Sequence, residues 1–174
     1  VICNNTNASL YIYATSTPPP ITITIRANVA ITVTGIINFG SATAATNFTA
    51  NLEGNLSLSG SSITVFANLS FIGGLNQTID LSTYTTSLNG DITINKATGQ
   101  VQLNTALIAD YSGQDITVTG GTLYLNGYDL TVNGAGGKFI IQNEGRLKLK
   151  GKETLTMPVT QFDAGSTVEY IGHG

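Results

Sequence analysis

The chain has 174 residues and a formal net charge of −3, and only 10% of its residues are charged, against about 25% in an ordinary soluble domain. A single cysteine, Cys3, and a single histidine, His173, argue against an internal disulfide framework, a zinc site built from both residue types, and a histidine-centred catalytic group. The small negative charge gives no field for nucleic acid, and no apolar run approaches the roughly 20 residues of a membrane span.

The N-terminal segment is predicted to be an arm that is separate from the body. Pro18, Pro19 and Pro20 form a stiff, extended spacer. We therefore divide the chain into an arm with this spacer over residues 1–20 and a body over residues 21–174. A strand within the arm would add to the edge of a neighbouring subunit; otherwise the arm is a frayed cap or an earlier coil of a longer rod.

Apolar and small polar residues alternate from Ile21 onward, which places the apolar side chains on one face of a strand. In the second half of the chain, pairs of inward residues recur every seven to nine residues, with glycine or asparagine between them. The pairs are Ile116/Val118, Leu123/Leu125, Leu130/Val132, Phe139/Ile141, Leu147/Leu149 and Leu155/Met157. No stretch has the period of a helix, so the fold class is predicted to be all-β.

Two architectures use short strands at this spacing. The first is a β-solenoid, a parallel β-helix of about six to seven short coils, in which three strands make a coil of roughly 21–25 residues. The second is a pilin-like β-sandwich that is completed by a donor strand, with Asn-Gly pairs as hairpin turns. The two-residue inward pairs and the small polar outward residues favour the solenoid.

Three sequence stretches resemble bacterial secreted or cell-surface β-helix proteins of the adhesin type. They are DITINKATG followed by VQL (from Asp91), ITVTGGTLYLNGYDLTV (from Ile116) and FIGGLNQTI (from Phe71). The resemblance extends over about residues 68–174 and implies an extracellular β-helix; it brings no catalytic residues. Because residues 69–74 recur loosely as residues 168–173, we also expect the body to continue in a longer parent protein.

A basic segment is the sharpest electrostatic feature. Residues 138–152 carry five positive charges and one negative charge, whereas the preceding 137 residues carry two positive and six negative charges. The basic residues are Lys138, Arg146, Lys148, Lys150 and Lys152. They are predicted either to contact a partner or an anionic polysaccharide, or to keep an exposed β face soluble.

Other candidate groups carry weaker predictions. Tyr124 and Tyr128 are candidates for glycan contact by stacking, with simple stacking between coils as the alternative. Asp110 and Asp115 lie five residues apart across a turn, and the other aspartates are scattered, which favours turn caps and solvent-facing positions over catalytic carboxylates. The segment Gly134–Lys138 fails the phosphate-loop pattern because phenylalanine follows Lys138.

Six sequons for N-glycosylation lie in the first half of the chain, and they would be used only in an exported protein. Their asparagines are Asn4, Asn7, Asn47, Asn55, Asn68 and Asn76.

The sequence therefore predicts an extracellular or cell-surface structural and adhesive module without catalytic residues, cofactor or metal. It would associate with itself end to end as a fibre or form part of a long surface protein. The alternatives are a carbohydrate-binding module of a secreted protein and, in third place, a polysaccharide-degrading β-helix enzyme.

Overall fold

The structure is a computed structural model that describes residues 11–12, 21–26, 29–39, 48–81 and 86–172. Most of the predicted arm, including the proline spacer and Cys3, lies outside the described residues, as does His173.

The described secondary structure consists of 17 strands. In chain order they are β1 (Tyr11–Ile12), β2 (Ile21–Ile25), β3 (Val29–Phe39), β4 (Phe48–Leu52), β5 (Leu56–Val65), β6 (Asn68–Phe71), β7 (Gln77–Asp80), β8 (Thr86–Leu88), β9 (Ile92–Leu103), β10 (Leu107–Ala109), β11 (Ile116–Tyr124), β12 (Leu130–Val132), β13 (Phe139–Ile141), β14 (Gly145–Leu149), β15 (Leu155–Thr156), β16 (Thr160–Phe162) and β17 (Thr167–Tyr170).

Each strand pairs in parallel with the strand segment one coil away, so the described chain winds around one axis. Three faces result. Face A contains β2, β4, β6, the first halves of β9 and β11, β13 and β16. Face B contains the first halves of β3 and β5, β7, the second halves of β9 and β11, β14 and β17. Face C contains the strand segments that follow face B and precede face A in each coil: β1, the ends of β3 and β5, β8, β10, β12 and β15.

The predicted all-β solenoid is confirmed. The sandwich alternative is wrong, because a donor-strand sandwich requires antiparallel neighbours and every pair among the described strands is parallel. The described residues place seven strand segments on face A, one per coil. Strand β1 of the arm pairs in parallel with the end of β3 at Asn38 and Phe39, so this part of the arm lies on the stack.

The core is a set of columns in which each inward residue packs on the residue one coil away. One column of face A contains Phe71, Ile94, Val118 and Ile141, all of which are 0% exposed. Five of the six predicted inward pairs are buried as expected. The sixth pair, Leu155 and Met157, keeps the inward register but is only partly covered, because the described residues place no further coil on it.

Glycines at the corners allow the coils to stack closely. Gly134 lies so near the preceding coil that a Cβ atom there would be 2.0 Å from the carbonyl oxygen of Tyr111. Asn126 and Gly127 both have positive φ angles, 56° and 90°, and turn the chain from face B to face C. Such Asn-Gly pairs are typical of hairpins, but here the flanking strands keep the same sense of winding.

Candidate interaction surfaces

The last described coil exposes apolar side chains whose register partners one coil earlier are buried in the core. Phe162 is 50% exposed and Tyr170 is 70% exposed, whereas their register partners Ile141 and Leu149 are 0% and 2% exposed. We call this surface the open edge. Leu155, Phe162, Val168 and Tyr170 continue core columns, and the exposed Val159 and Ile171 adjoin β16 and β17.

The backbone of the open edge is also unpaired on its outer side. Strands β15, β16 and β17 each pair with the preceding coil, at β12, β13 and β14, and with nothing else among the described residues. A row of free N–H and C=O groups is a template for a further strand. The open edge therefore combines apolar area with backbone hydrogen-bonding capacity.

Face B carries a ladder of long polar side chains on its outer surface. Gln102, Tyr124, Lys148 and Glu169 occupy one register column in successive coils. The Lys148 ammonium lies 5.1 Å from the ring centroid of Tyr124, a cation–π contact, and Tyr124 is only 8% exposed. Tyr128, by contrast, is 39% exposed at the corner that follows. The two tyrosines predicted to contact glycans thus lie in different surroundings.

The basic residues are divided between two corners and one strand. Arg146 and Lys148 share the outer side of β14, and the Arg146 guanidinium lies 3.3 Å from the carboxylate of Glu169 in the next coil. Lys138 lies at the corner between faces C and A, where its backbone N–H donates to Asp115 Oδ1 at 2.8 Å. Lys150 and Lys152 lie at the corner that follows β14. The predicted basic segment is therefore dispersed around the rod.

Glu153 holds the corner that contains Lys150 and Lys152. Its carboxylate accepts backbone N–H groups of Gly127 at 2.8 Å, Lys150 at 2.7 Å, Gly151 at 2.7 Å and Lys152 at 3.0 Å. Burial opposes ionisation, but the backbone N–H groups of Lys150, Gly127, Gly151 and Glu153 itself hold the pKa of Glu153 below its usual range. The carboxylate joins two successive coils, because Gly127 belongs to the earlier one.

Short polar side chains connect the coils at the corner between faces C and A. Asn68 Oδ1 accepts the N–H of Asp91 at 2.9 Å, and Asp91 Oδ1 accepts the N–H of Asp115 at 2.9 Å. With the bond from Lys138, this ladder spans four successive coils. Burial, and then the charge of Asp115, raise the pKa of Asp91, although the hydrogen bond from Asp115 opposes this. A cavity of about 110 Å³ lies beside Asn68 and Asp91.

This ladder accounts for Asp115 as a turn cap, as the sequence predicted, whereas Asp110 is exposed. Among the described residues, no group of three or more histidine, cysteine or acidic side chains is placed to hold a metal ion.

Three of the six sequon asparagines are described. Asn55, Asn68 and Asn76 each use Oδ1 to accept a backbone N–H of the next coil, at 2.9, 2.9 and 3.1 Å. Asn76 is exposed, whereas the other two are partly buried. The remaining three, Asn4, Asn7 and Asn47, lie outside the described residues.

A buried lysine is a polar group that sequence reasoning missed. Lys96 is 2% exposed, and its Nζ donates to Gln77 Oε1 at 2.5 Å and to the carbonyl oxygen of Ile72 at 3.3 Å. The Gln77 amide in turn donates to the carbonyl oxygens of Leu52 and Gly54 at 2.8 and 2.7 Å. Burial lowers the pKa of Lys96.

The signal that could have revealed Lys96 lies one coil later. A Cβ atom at Gly121 would be 2.8 Å from the Cβ atom of Lys96, and Gly121 has a φ of 71°. The Gly120-Gly121 bulge therefore makes room for the lysine at the corner between faces A and B.

Comparison with protein-family models, curated proteins and solved structures finds no match for this chain. The resemblance to adhesin-like β-helix proteins stays a prediction. The part of the chain that the structure describes contains no helix with the length and apolar character needed to span a membrane.

Proposed function

We propose that this chain is an extracellular structural and adhesive module. It either associates end to end with further copies to form a fibre or forms one section of a long surface protein. The open edge is the observation that carries this proposal. Its inward-pointing residues Phe162, Val168 and Tyr170 are 43–70% exposed although they continue the columns of the core. An exposed apolar patch next to unpaired strand edges is typical of a surface that becomes covered, either by a further coil of a longer chain or by a second copy.

The outer surface supports a place outside the cell. Several outward positions on face A are small and polar, as at Ser70, Thr93 and Thr117, which occupy one register column. Such positions need few charges, in agreement with the low charged fraction of 10%. The exposed sequon at Asn76 would be open to modification in a host that glycosylates exported chains.

Light scattering coupled to size-exclusion chromatography, over a range of concentrations, tests the proposal. We expect the mean mass to rise with concentration and electron microscopy to show rods of varying length. A stable monomer at the highest concentration would contradict self-association. Phe162→Asp is the informative variant, because it places a charge on the open edge, and Ile108→Asp is its control, because Ile108 is similarly exposed, at 53%, on the outer side of face C.

Carbohydrate binding is the second candidate, favoured by Tyr128. This side chain is 39% exposed at the corner that follows β11. The adjacent corner of the next coil contains Lys150 and Lys152, because the backbone N–H groups of Gly127 and Lys150 both donate to Glu153. An exposed ring beside two cations suits an anionic polysaccharide. Glycan-array binding that is lost in Tyr128→Ala but kept in Tyr111→Ala, which is equally exposed at 39%, would support this candidate; absence of binding by the unmodified protein would eliminate it.

A further inference from the structure

The corner between faces C and A lengthens along the rod. It comprises residues 66–67 between β5 and β6, residues 89–91 between β8 and β9, and residues 110–115 between β10 and β11. The long corner reaches back over the two short ones, because the ring of Tyr111 contacts Phe66, two coils earlier, edge to face at a centroid distance of 6.5 Å. The long corner therefore forms a wall beside a floor of short corners.

The cavity of about 110 Å³ beside Asn68 and Asp91 is lined by both the floor and the wall, and we call it the corner cavity. Its lining includes Asn68, Asn89 and Asp91 from the floor, and Tyr111, Ser112 and Gln114 from the wall. A water molecule needs about 10–15 Å³ of such volume. The corner cavity thus has room for several water molecules or for one small organic molecule.

Hydrogen bonds fix the wall to the coils on either side. Gln114 is 1% exposed, and its side-chain amide donates to the carbonyl oxygen of Gly90 at 2.8 Å. The backbone N–H of Gly113 donates to the carbonyl oxygen of Ala135 in the next coil at 2.9 Å, and the Ser112 hydroxyl donates to the same oxygen at 3.3 Å. The fold therefore preforms the corner cavity, and a ligand does not have to order a loop when it binds.

Asp91 is the only one of the described lining residues that carries a charge at neutral pH. Its Oδ1 atom accepts the N–H of Asp115, whose own carboxylate caps the next step of the ladder. No lysine or arginine of the described residues forms an ion pair with either carboxylate. Burial, and also the charge of Asp115, raise the pKa of Asp91, although the hydrogen bond from Asp115 opposes this. A cation in the corner cavity would supply the missing counter-charge.

The lining groups favour an organic cation over a metal ion. A single lining carboxylate is a sparse donor set for a metal, and no group of three or more histidine, cysteine or acidic side chains in the described part of the chain is placed to hold one. A primary ammonium group has three N–H donors, which suit the Asp91 carboxylate, the Ser112 hydroxyl oxygen and an amide oxygen. The ring of Tyr111, which is 39% exposed, offers an apolar surface that also attracts cations.

From the preformed cavity, its single carboxylate and its aromatic wall, we propose that the corner cavity binds a small primary alkylammonium ion, with Asp91 as the counter-ion and Tyr111 against the alkyl chain. This inference goes beyond the proposed function and does not rest on end-to-end association. It gives the long corner a role on the side of the rod in addition to the capping of backbone groups.

Saturation-transfer NMR with n-butylammonium chloride tests the proposal, because the method detects weak ligands on monomers and assemblies alike. n-Butanol is the matched probe, since it has nearly the same shape without the charge. We expect saturable binding of butylammonium with a Kd in the millimolar range, which is ordinary for so small a ligand, and binding of butanol that is weaker by about tenfold or more. Equal binding of the two probes, or no binding of butylammonium, would overturn the proposal.

The variant Asp91→Asn removes the charge and keeps the shape of the side chain. Asn68 demonstrates that an asparagine serves in this ladder, because its Oδ1 accepts the N–H of Asp91 at 2.9 Å. We expect Asp91→Asn to weaken butylammonium binding by about tenfold or more. Asp129→Asn is the matched control, since Asp129 Oδ1 caps the N–H of Thr154 at the corner between faces B and C, and it should leave binding unchanged. Equal effects of the two variants would overturn the assignment to the corner cavity.

Two variants of Tyr111 give a readout that does not depend on the ladder, and they decide the matter if Asp91→Asn fails to fold. Tyr111→Leu removes the ring, and we expect the affinity for butylammonium to fall by about threefold or more, on the scale of an exposed cation–π contact. Tyr111→Phe keeps the ring and its contact with Phe66 and should bind like the unmodified protein. Unchanged binding in Tyr111→Leu, with circular dichroism showing folded coils, would contradict the placement of the ligand against this ring.

Discussion

Two phenylalanines in one core column differ in whether a further described coil covers them. Phe71 is 0% exposed between its neighbours Leu52 and Ile94, whereas Phe162 is 50% exposed and contacts the column from one side only. The rings share register and chemistry, so the pair isolates the effect of one covering coil. We predict that Phe71→Ala destabilises the protein far more than Phe162→Ala.

The magnitude follows from transfer and cavity energies. Replacing a fully buried phenylalanine by alanine costs about 3–5 kcal/mol, because the lost transfer free energy is joined by an unfilled cavity. At Phe162 about half of the transfer term applies, and solvent fills the vacated space, so we expect about 1 kcal/mol. The difference of about 2–4 kcal/mol exceeds the error of denaturant extrapolation.

Urea unfolding followed by circular dichroism measures both losses. The protein should be dilute enough to be monomeric, because a second copy on the open edge would bury Phe162 and raise its cost. The slope of the transition should be compared as well, since stacked coils need not unfold together. Equal losses for Phe71→Ala and Phe162→Ala would refute the view that each coil covers the side chains of its neighbour.

Three further predictions concern a corner glycine and two titratable groups. Gly134→Ala should lower the melting temperature more than Gly136→Ala. A Cβ atom at Gly134 would lie 2.0 Å from a backbone oxygen, whereas a Cβ atom at Gly136 meets open space and costs only the strain of a φ of 82°. Equal shifts would contradict the close stacking of the coils. The pKa of Glu153 is lowered in the fold, so its contribution to stability is present above the usual glutamate pKa of about 4.3 and is lost as the pH falls through the lower folded value. Glu153→Gln should therefore flatten the acid limb of unfolding free energy against pH, and an unchanged limb would argue against the four hydrogen bonds. The pKa of Lys96 is also lowered, so stability should rise as the pH approaches the unfolded lysine pKa of about 10.4; Lys96→Met should remove this rise, and Lys152→Met, at an exposed lysine, should keep it.

The repeating part of the fold could be predicted from the sequence because it depends on a local pattern. Alternation identifies which residues of Ile116–Tyr124 point inward, and the structure buries Ile116, Val118 and Leu123 completely. Parallel stacking follows less directly. Inward pairs of two residues, which suit short faces, and small outward residues that stack between coils favour it.

The contacts between coils could not be predicted in the same way, because they join residues 19 to 27 positions apart. Tyr124 alternates outward, as predicted, but Lys148 of the next coil covers it. Lys96 occupies the next inward position after Ile94, and the room for its long charged side chain comes from Gly120-Gly121 one coil later. Recognising either contact requires the register between coils, which no single strand contains.

The ladder of side chains at the corner between faces C and A has a consequence for how such a protein changes length. Asn68, Asp91 and Asp115 recur at intervals of 23 and 24 residues, and each caps the same backbone position in the following turn. Gain or loss of a single residue within a turn would break these caps and move apolar groups to the outside. Gain or loss of one whole turn would preserve both, and would change the rod by a single step of about 4.8 Å. Duplication in units of about two dozen residues is thus the tolerated route by which this architecture becomes longer or shorter.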